Sequence, residues 1–351
     1  MKNSMIYVPI LKWKQGEQFA LLNLSDYVKS KTMPFICLMG LSGDPEGDVE
    51  KIKRFWGSEY PISVGFHPNL FDDNVEDLHV YMENMLNYAH EIGLKIVPII
   101  NVLNNDKFLE VISKHAKLLT NGVLLHLKNK DFVNIENIIS HITYKSSFKK
   151  EDIILLFDFF IVDSNISPET YSDIAINTIS KIDIKEYKSV VFSASSFPAA
   201  ISGLEAYSIS PIKRHEWLIW KSIISRQKDI IFGDYCCDDP LDEDLDFGPT
   251  IIPTIRYTKD DYWYIVRGKH DKRKPRDFSQ FHALSQKLIG RKDIYCGANY
   301  SWGDGEIASC ASKTCVAPKK CNHGHMGVWV KRNSNHHITY VVNQLSSYSG
   351  V

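Results

Sequence analysis

Residues 229–240 read DIIFGDYCCDDP, and residues 250–268 read TIIPTIRYTKDDYWYIVRG. The first run contains a short apolar strand, residues 230–232, which is followed by Gly-Asp-Tyr. The second run contains two alternating segments joined by a turn at residues 259–261, a pattern that predicts a β-hairpin. Counted back along the chain, the apolar strand is the eighth in an alternation of strands and helices that begins at Ile6.

Eight apolar segments of strand length alternate along the chain with amphipathic segments of helical length. We predict strands at residues 7–11, 34–39, 61–66, 95–100, 122–127, 153–157, 189–192 and 230–232. We predict helices at residues 17–31, 46–56, 75–92, 107–119, 132–144, from 167 onward, 211–226 and 278–289. Strands that are apolar on successive residues and are each followed by a helix are typical of a parallel sheet covered by helices.

Eight such units favour closure into a single (β/α)8 TIM-type barrel, an α/β fold. An open doubly wound sheet is the alternative, although no Gly-x-Gly-x-x-Gly turn follows the first strand to indicate a dinucleotide-binding half. The predicted barrel spans residues 1–294 and includes the hairpin at 250–268, inserted after strand eight. Residues 295–351 are rich in Gly, Cys, Asn and His and are predicted to form a small Cys/His-bearing C-terminal appendage packed on the barrel. One strand, His337 to Gln344, is predicted within it.

The composition limits the class of protein. A length of 351 residues with 44% hydrophobic residues is compatible with one large barrel. No apolar run reaches 18 residues and no signal peptide is evident, so we expect no membrane association. Seven cysteines, an odd number, favour a reducing compartment, and we expect a cytoplasmic location. The formal net charge of −1 gives no general attraction to nucleic acid.

Several enzyme classes have no support in the sequence. We find no Gly-x-Ser-x-Gly elbow, no His-Glu-x-x-His and no phosphate-loop motif. These absences argue against a serine hydrolase, a zinc protease and a nucleotide-loop ATPase. The sequence indicates no particular cofactor.

In a barrel of this type, functional residues gather at the carboxyl ends of the strands. The polar residues at those ends are Lys12, Lys14, His67, Asn101, His126, Lys128, Asp158, Ser193, Ser195, Asp234 and Tyr235. Since a buried charge is costly unless it is paired, we expect the lysines and aspartates to face one another across the mouth. The functional interpretation is a ligand-binding or catalytic site that uses Lys12, Asp158 and Asp234. Structural salt bridges at the barrel rim are the alternative.

Two further features suggest anion binding. Residues 193–203 are small and Ser/Pro-rich, and backbone N–H groups after strand seven often hold phosphate in such barrels. Such a composition is unspecific, and an ordinary Ser/Pro-rich loop is the commoner explanation of it. Arg256 and Arg267, on the two hairpin strands, could contact a phosphate or carboxylate, or could lie on a solvated face.

Two charged runs and a cysteine cluster have simpler explanations than nucleic-acid or metal binding. The acidic loop comprises Asp238, Asp239, Asp242, Glu243, Asp244 and Asp246, and the basic run comprises Lys269, Lys272, Arg273, Lys274 and Arg276. Such runs are usually solvated, or the two pair with each other. Contact of the basic run with nucleic acid or protein is the alternative, but the aromatic interleaving of a single-strand groove is missing. The cluster Cys310, Cys315, Cys321, His323 and His325 lacks the Cys-x2-Cys spacing of zinc sites, so we assign no metal.

Six blocks along the chain resemble the phage-type beta protein family. They are Tyr7-Val-Pro-Ile-Leu-Lys-Trp-Lys-x-Gly-Glu17, Gly233-Asp234-Tyr235, Arg256-Tyr257, Trp263-Tyr264…Arg267-Gly268, Ser301-Trp302-Gly303-Asp304 and Asn335-His336-His337-Ile338-Thr339. These blocks span nearly the whole chain in the expected order. The Cys- and Lys-rich segment from Ser309 to His325 departs from the family pattern, which argues against a zinc role shared by the family.

The resemblance implies a prophage or phage-satellite context. Members of this family lie in small operons beside toxin-like genes, some of which give anti-phage defence, and no reaction is established for them. The positions that match family blocks and that we place in one site are Lys12, Lys14, Glu17, Asp234, Tyr235, Arg256, Arg267, Trp302, Asp304, Asn335 and His336.

We therefore expect a component of a prophage-borne anti-phage defence or toxin-control cassette, whose barrel mouth binds a small anionic, nucleotide-like ligand. Lys12, Arg256 and Arg267 would hold the negative charge, with His67 among the ligand contacts, while Asp158 and Asp234 orient the lysine or act as acid and base. A non-catalytic protein that restrains or activates a toxin-like partner encoded nearby is one alternative. A phosphoester- or nucleobase-processing enzyme is another.

Overall fold

The computed structural model describes residues 5–73, 75–115, 120–146, 148–198, 201, 203–238, 240, 252–274, 276–313 and 322–348. These residues form two compact units. The first comprises residues 1–14, 29–195 and 215–235, and the second comprises residues 15–28, 196–214 and 236–351. Among the described helices, none is long and apolar enough to span a bilayer.

The described strands are β1 (Tyr7–Lys12), β2 (Phe35–Leu38), β3 (Ile62–Phe66), β4 (Ile96–Ile100), β5 (Val123–Lys128), β6 (Ile153–Ile161), β7 (Ser189–Ser195), β8 (Ile209–Lys213), β9 (Ile230–Asp234), β10 (Thr254–Lys259) and β11 (Tyr262–Arg267). The described α-helices are α1 (Gln15–Leu22), α2 (Asp26–Lys31), α3 (Pro45–Trp56), α4 (Asn69–Asp73), α5 (Val75–Glu91), α6 (Asp106–Lys114), α7 (Ile135–Ser146), α8 (Pro168–Ile179), α9 (His215–Arg226), α10 (Gln280–Gly290), α11 (Trp302–Ala311) and α12 (Met326–Tyr348).

The first unit is a closed barrel of eight parallel strands in the order β1 to β7 and then β9. Strand β9 pairs with both β7 and β1, and the pair Tyr7 and Phe232 closes the ring. Helices follow the strands along the chain, so the predicted TIM-type barrel is confirmed and the open sheet is excluded.

The inner face of the barrel follows from the alternation of side chains along each strand. The buried inner layer contains Val8, Ile10, Phe35, Val97, Ile99, Leu124, Ile154, Leu156 and Val191. Gly233 also lies on this face, where an added Cβ would sit 2.9 Å from the Val8 carbonyl oxygen and 3.3 Å from the Ser193 Cβ. Only glycine therefore allows β9 to approach its neighbours this closely.

The outer face of the barrel is covered by aromatic packing. Tyr7 and Phe232 stack with ring centroids 6.0 Å apart, and Trp217 and Trp220 of α9 pack on Phe232 at 5.4 and 5.6 Å. All four side chains are buried. Residues of β1 and β9 that share the parity of Tyr7 and Phe232 thus point away from the lumen.

The second unit contains a three-stranded antiparallel sheet in the order β10, β11, β8. The predicted hairpin is formed by β10 and β11, and the structure groups it with α1, α10, α11 and α12 rather than with the barrel strands. Its core includes Phe281 and Trp329, whose rings stack at 4.2 Å. This grouping differs from the predicted boundary at residue 295 because the hairpin pairs with β8 through Trp263 and Ile212.

Two predicted elements are wrong. The strand predicted at His337 to Gln344 lies within helix α12. The apolar residues there also repeat at helical spacing, and Ile338, Val341, Val342 and Leu345 are all buried. The helix predicted from Pro211 begins only at His215, because residues 209–213 pair with β11 as strand β8. In both cases tertiary packing overrides a local pattern that fits either state.

Candidate functional site

Asp158 is the centre of the polar residues at the barrel mouth. It lies on the inner face of β6, two residues beyond Leu156, and is fully buried. Its Oδ2 atom accepts hydrogen bonds from the Tyr235 hydroxyl at 2.5 Å and from His126 Nε2 at 2.8 Å. Its Oδ1 atom accepts the Phe160 backbone N–H at 2.9 Å. Three donors therefore fix this carboxylate.

The carboxylate also fixes the state of His126. An ionised carboxylate can only accept hydrogen bonds, so Nε2 of His126 must carry the proton that it donates to Asp158. The other ring nitrogen, Nδ1, has no hydrogen-bond partner among the described residues. The side chain is 10% exposed, and its ring meets the Phe35 ring edge-on at 5.1 Å. The His126 ring is thus fixed by its hydrogen bond to Asp158, and its Nδ1 atom carries a lone pair.

The Tyr235 hydroxyl is a hydrogen-bond donor in this arrangement. Burial, and then the negative charge of Asp158, raise the pKa of Tyr235 well above its ordinary value. The phenol therefore stays protonated near neutral pH. Cys37, on the inner face of β2, is also kept in its acid form, because burial raises the pKa of its thiol to about 12 against the opposing charges of Lys128 and Lys12.

Two lysines bring positive charge to the mouth. Lys128 ends β5 and is paired in register with Asp158, while Lys12 ends β1 and is paired in register with Cys37. Both are half-buried. The Lys128 ammonium lies 5.3 Å from the centre of the Phe160 ring. In the part of the chain that the structure describes, it donates no hydrogen bond and forms no ion pair. Asp158 is already engaged by three other donors.

The backbone beside Asp158 is irregular. The register between β6 and β7 shifts between Asp158 and Ile161, and Phe160 has φ of 57°. A bulky residue in the left-handed region is strained by about 1–3 kcal/mol. The bulge points the Phe160 N–H at Asp158 and brings the Phe160 ring to 6.1 Å from Tyr235. Bulges of this kind often lie beside functional sites, where they re-aim a side chain.

Asp234, which was predicted to share one site with Lys12 and Asp158, lies on the other face of its strand. It shares the parity of Phe232, and it accepts a hydrogen bond from the Tyr7 hydroxyl at 2.6 Å. Asp234 and Tyr235 are consecutive, so only one of them can face the lumen. The structure gives that position to Tyr235, while Lys12 and Asp158 share the inner-face parity of Ile10 and Leu156.

The remaining predicted residues of the barrel lie at strand ends. Lys14 follows β1 and is half-buried, and His67 follows β3 with the parity of the inner-face Gly65. The Asn69 backbone N–H donates to His67 Nδ1 at 3.4 Å. Ser193, on the inner face of β7 and paired in register with Asp158, is fully buried. Its hydroxyl has no hydrogen-bond partner within the described residues.

The other predicted site residues belong to the second unit, where Asp304 is the centre of a separate network. Asp304 is fully buried, accepts the Tyr257 hydroxyl at 2.7 Å and the Ser301 hydroxyl at 2.6 Å, and lies 2.8 Å from His336 Nδ1. His336 Nε2 lies 2.8 Å from the Thr258 carbonyl oxygen. Both ring nitrogens of His336 therefore face acceptors, and both act as donors.

The electrostatics of this network fit an ion pair. Burial alone would raise the pKa of Asp304, but the charge of His336 and hydrogen bonds from His336, Ser301 and Tyr257 lower it below its ordinary value. The His336 ring is fully buried and stacks on Tyr257 with centroids 3.8 Å apart. Gly303 is needed here, since an added Cβ would meet the Arg332 carbonyl oxygen at 2.3 Å, too close for any side chain.

Asn335 and the arginines also bond within the second unit. Asn335 accepts the Gly303 N–H at 2.9 Å and donates to the Ala20 carbonyl at 3.0 Å, which ties α1, α11 and α12 together. Arg256 donates to the Cys237 carbonyl and to Asp238, at 3.3 Å for the latter, and stacks over Phe197. Arg267 donates to the Leu204 carbonyl at 3.3 Å.

Glu17 is buried near the start of α1, and the half-buried Trp302 has the Lys331 ammonium 5.8 Å from its ring centre. The zinc hypothesis and the acidic loop fall largely outside the described residues, which include Cys310, His323, His325 and Asp238 but not Cys315, Cys321, Asp239 or residues 242–246. The segment 193–203 is described except for residues 199, 200 and 202.

His126 and Lys128 stood in the predicted ring of strand ends, but the predicted catalytic set omitted them. Cys37 was missed altogether. A period of two counted from Phe35 would have placed Cys37 on the inner face, and the same count from Leu124 places His126 and Lys128 there. The hydrogen bond from His126 to Asp158 has no local signal, because the two residues are far apart in sequence.

Comparison with known proteins supports the family resemblance. The family model described as Beta protein matches residues 7–343. Among curated proteins, none matches the chain. A search of solved structures finds 3-keto-D-glucoside 4-epimerase from E. coli in its apo form, with 11% sequence identity and a TM-score of 0.32, covering 66% of this chain and 91% of that one. That likeness is too distant to carry an argument about activity.

Proposed function

The chain belongs to the Beta protein family, and from that premise we propose that its barrel mouth binds a small anionic, nucleotide-like ligand. We further propose that it does so as part of a prophage-borne defence or toxin-control cassette. The ligand proposal is supported by geometry, whereas the cassette is supported by the family resemblance.

One observation carries the ligand proposal. The half-buried Lys128 ammonium lies at the carboxyl end of a barrel strand, with no ion pair among the described residues. Its neighbour in register, Asp158, takes its hydrogen bonds from Tyr235, His126 and the Phe160 backbone. A charge held in this way is best stabilised by an incoming anion, because a partly desolvated ammonium gains most from a charged hydrogen bond.

The surrounding groups favour the same class of ligand. Lys12 adds a second positive charge, and the fields of both lysines act on Cys37. Ser193 offers a buried hydroxyl two residues beyond Val191 on the lumen face. Ammonium and hydroxyl groups are hydrogen-bond donors that suit a phosphate, and functional residues of this fold lie at the carboxyl ends of the strands.

Titration calorimetry with inorganic phosphate and with adenosine monophosphate tests the proposal. We expect binding by the unmodified protein and a dissociation constant raised about 10- to 100-fold in Lys128→Gln, since a hydrogen bond to a charged group contributes about 1.5–3 kcal/mol. The matched control is Lys130→Gln, because Lys130 is exposed and lies two residues further on. Equal binding by the two variants, or no binding by the unmodified protein, would refute a ligand site at the mouth.

A phage plating assay tests the cassette. With the chain expressed beside its neighbouring genes, we expect Lys128→Gln to lose protection against phage and Lys130→Gln to keep it. No protection by the unmodified genes would argue against a defence role, and full protection by Lys128→Gln would separate defence from the mouth.

A further inference from the structure

We infer that His126 is the general base of the barrel mouth, and that it removes a proton from the anionic ligand bound there. This inference rests on the proposed function, because it assigns a reaction step to the same site. Asp158 and Tyr235 are positioning residues for that step, and Lys128 is the group that meets the charge it creates.

The hydrogen bonds of Asp158 determine the tautomer of His126. Asp158 Oδ2 accepts two hydrogen bonds, from the Tyr235 hydroxyl and from His126 Nε2, so the ring proton of neutral His126 lies on Nε2. The lone pair then lies on Nδ1, which has no hydrogen-bond partner among residues that the structure describes. A carboxylate that holds one nitrogen while the other takes up a proton is the arrangement that general-base histidines use.

The Asp158 carboxylate is itself held in place by its neighbours. The Phe160 N–H donates to the other carboxylate oxygen at 2.9 Å, from a residue with φ of 57° in a strand bulge. A non-glycine residue is kept in that region only when its surroundings over-determine it. The Tyr235 phenol, whose pKa is raised by burial, remains a donor and does not compete for protons. Asp158 therefore accepts hydrogen bonds from Tyr235, from the Phe160 backbone and from His126, and its carboxylate is fixed in the position that orients the His126 ring.

The proton balance is simple. The Nδ1 lone pair of His126 takes a proton from an O–H or an acidic C–H of the ligand, and the electron pair of that bond stays on the ligand. His126 becomes an imidazolium whose charge is balanced by Asp158. The new negative charge on the ligand is paired with the Lys128 ammonium, which lies on the same strand two residues further on. The step needs no other reactant.

Long-range ¹H–¹⁵N correlation spectra of the full-length protein labelled with ¹⁵N-histidine test the inference, with His126→Gln used only to assign the His126 signals. At alkaline pH we expect an unprotonated Nδ1 and a protonated Nε2. Asp158→Asn should remove this tautomer preference, and Tyr235→Phe should weaken it while the melting temperature shows that the variant is folded. A ring that is merely packed in place would keep its tautomer in both variants.

Titration of the same sample with inorganic phosphate separates the possible failures. We expect phosphate to move the His126 signals in the unmodified protein and in Lys130→Gln, and to move them far less in Lys128→Gln. Phosphate that binds through Lys128 but leaves His126 unmoved, or a ring protonated on Nδ1, would overturn the general base and leave the ligand site standing. Absence of phosphate binding would overturn both.

Discussion

Two buried networks among the described residues each contain an aspartate, a tyrosine and a histidine, and the histidines differ in whether both ring nitrogens have hydrogen-bond partners. In the second unit, Asp304, Tyr257 and His336 form a network in which both histidine nitrogens have partners and the ring is fully buried. At the barrel mouth, Asp158 is joined to His126 and Tyr235, and one nitrogen of His126 has no partner among the described residues.

This difference shows that the composition of a buried polar network does not reveal its role. A network in which every donor and acceptor is paired stabilises and specifies a fold. A network that leaves a lone pair without a hydrogen-bond partner and a nearby ammonium without an ion pair, as the described residues do at the barrel mouth, is less useful for stability and more useful for binding a ligand. The family blocks at residues 301–304 and 335–339 thus correspond, in large part, to the first kind of network.

The largest expected effect is on stability, in the second unit. Asp304→Ala removes one partner of a buried ion pair and leaves the His336 imidazolium without its carboxylate. We expect the free energy of unfolding to fall by about 3–5 kcal/mol. Urea denaturation followed by circular dichroism measures this change.

The control for Asp304→Ala is Asp293→Ala, which breaks the exposed ion pair with Arg291 and should change stability little. A similar small loss in Asp304→Ala would mean that its network is not structural, and the contrast between the two networks would disappear.

A smaller loss is expected at the mouth. Asp158→Asn keeps one carbonyl acceptor but turns an NH₂ group toward donors, so at least one of its three hydrogen bonds is lost. We expect the free energy of unfolding to fall by about 1–3 kcal/mol, less than in Asp304→Ala, since His126 is partly exposed and can be solvated. If the same urea experiments gave a loss as large as that of Asp304→Ala, the mouth would be a structural network too.

The two tyrosines predict a common dependence on alkaline pH. Burial, and then the charge of the adjacent aspartate, raise the pKa of both Tyr235 and Tyr257. The folded state therefore keeps protons that the unfolded state releases above about pH 10. The stability from each tyrosine is complete below that pH and is lost as the pH rises above it, by up to about 1.4 kcal/mol per pH unit.

Unfolding free energies measured between neutral and alkaline pH check this dependence. We expect Tyr235→Phe and Tyr257→Phe each to be less stable than the unmodified protein at neutral pH and to show a shallower decline above pH 10. A decline of unchanged slope in both variants would show that neither phenol is held protonated by its aspartate.

The sequence was sufficient for the barrel but not for the distinction between the networks. Apolar strands and capped helices are local patterns, and the Ser167 hydroxyl, for example, accepts the Thr170 N–H at 3.2 Å at the start of α8. A period of two puts Lys12 on the face of Val8 and Ile10, and Asp158 on the face of Ile154 and Leu156. The same period places Asp234 on the opposite face from Tyr235.

The contacts that build the second unit could not be predicted from the sequence, because they join segments that are distant along the chain. Strand β8 is stabilised by its pairing with β11. His336 bonds to Asp304, which lies 32 residues earlier in the chain. No local pattern encodes such pairings, and the residues from 337 to 344 fit a strand as well as a helix until their neighbours are known.

The smallest expected effect distinguishes the two networks at a single hydroxyl. Ser193 is buried on the lumen face without a hydrogen-bond partner among the described residues, whereas Ser301 donates to Asp304 at 2.6 Å and caps α11 through the Asp304 N–H. Ser301→Ala should lower the free energy of unfolding by about 1 kcal/mol, as loss of a helix cap does. Ser193→Ala should leave it unchanged or raise it by up to about 1 kcal/mol, since removal of an unpaired buried polar group relieves its desolvation penalty.

Urea denaturation of both variants, with phosphate calorimetry on Ser193→Ala, measures the contrast. A stable Ser193→Ala protein with weakened phosphate binding would identify the hydroxyl as a ligand contact. A clear loss of stability in Ser193→Ala would instead show that Ser193, like Ser301, stabilises the fold.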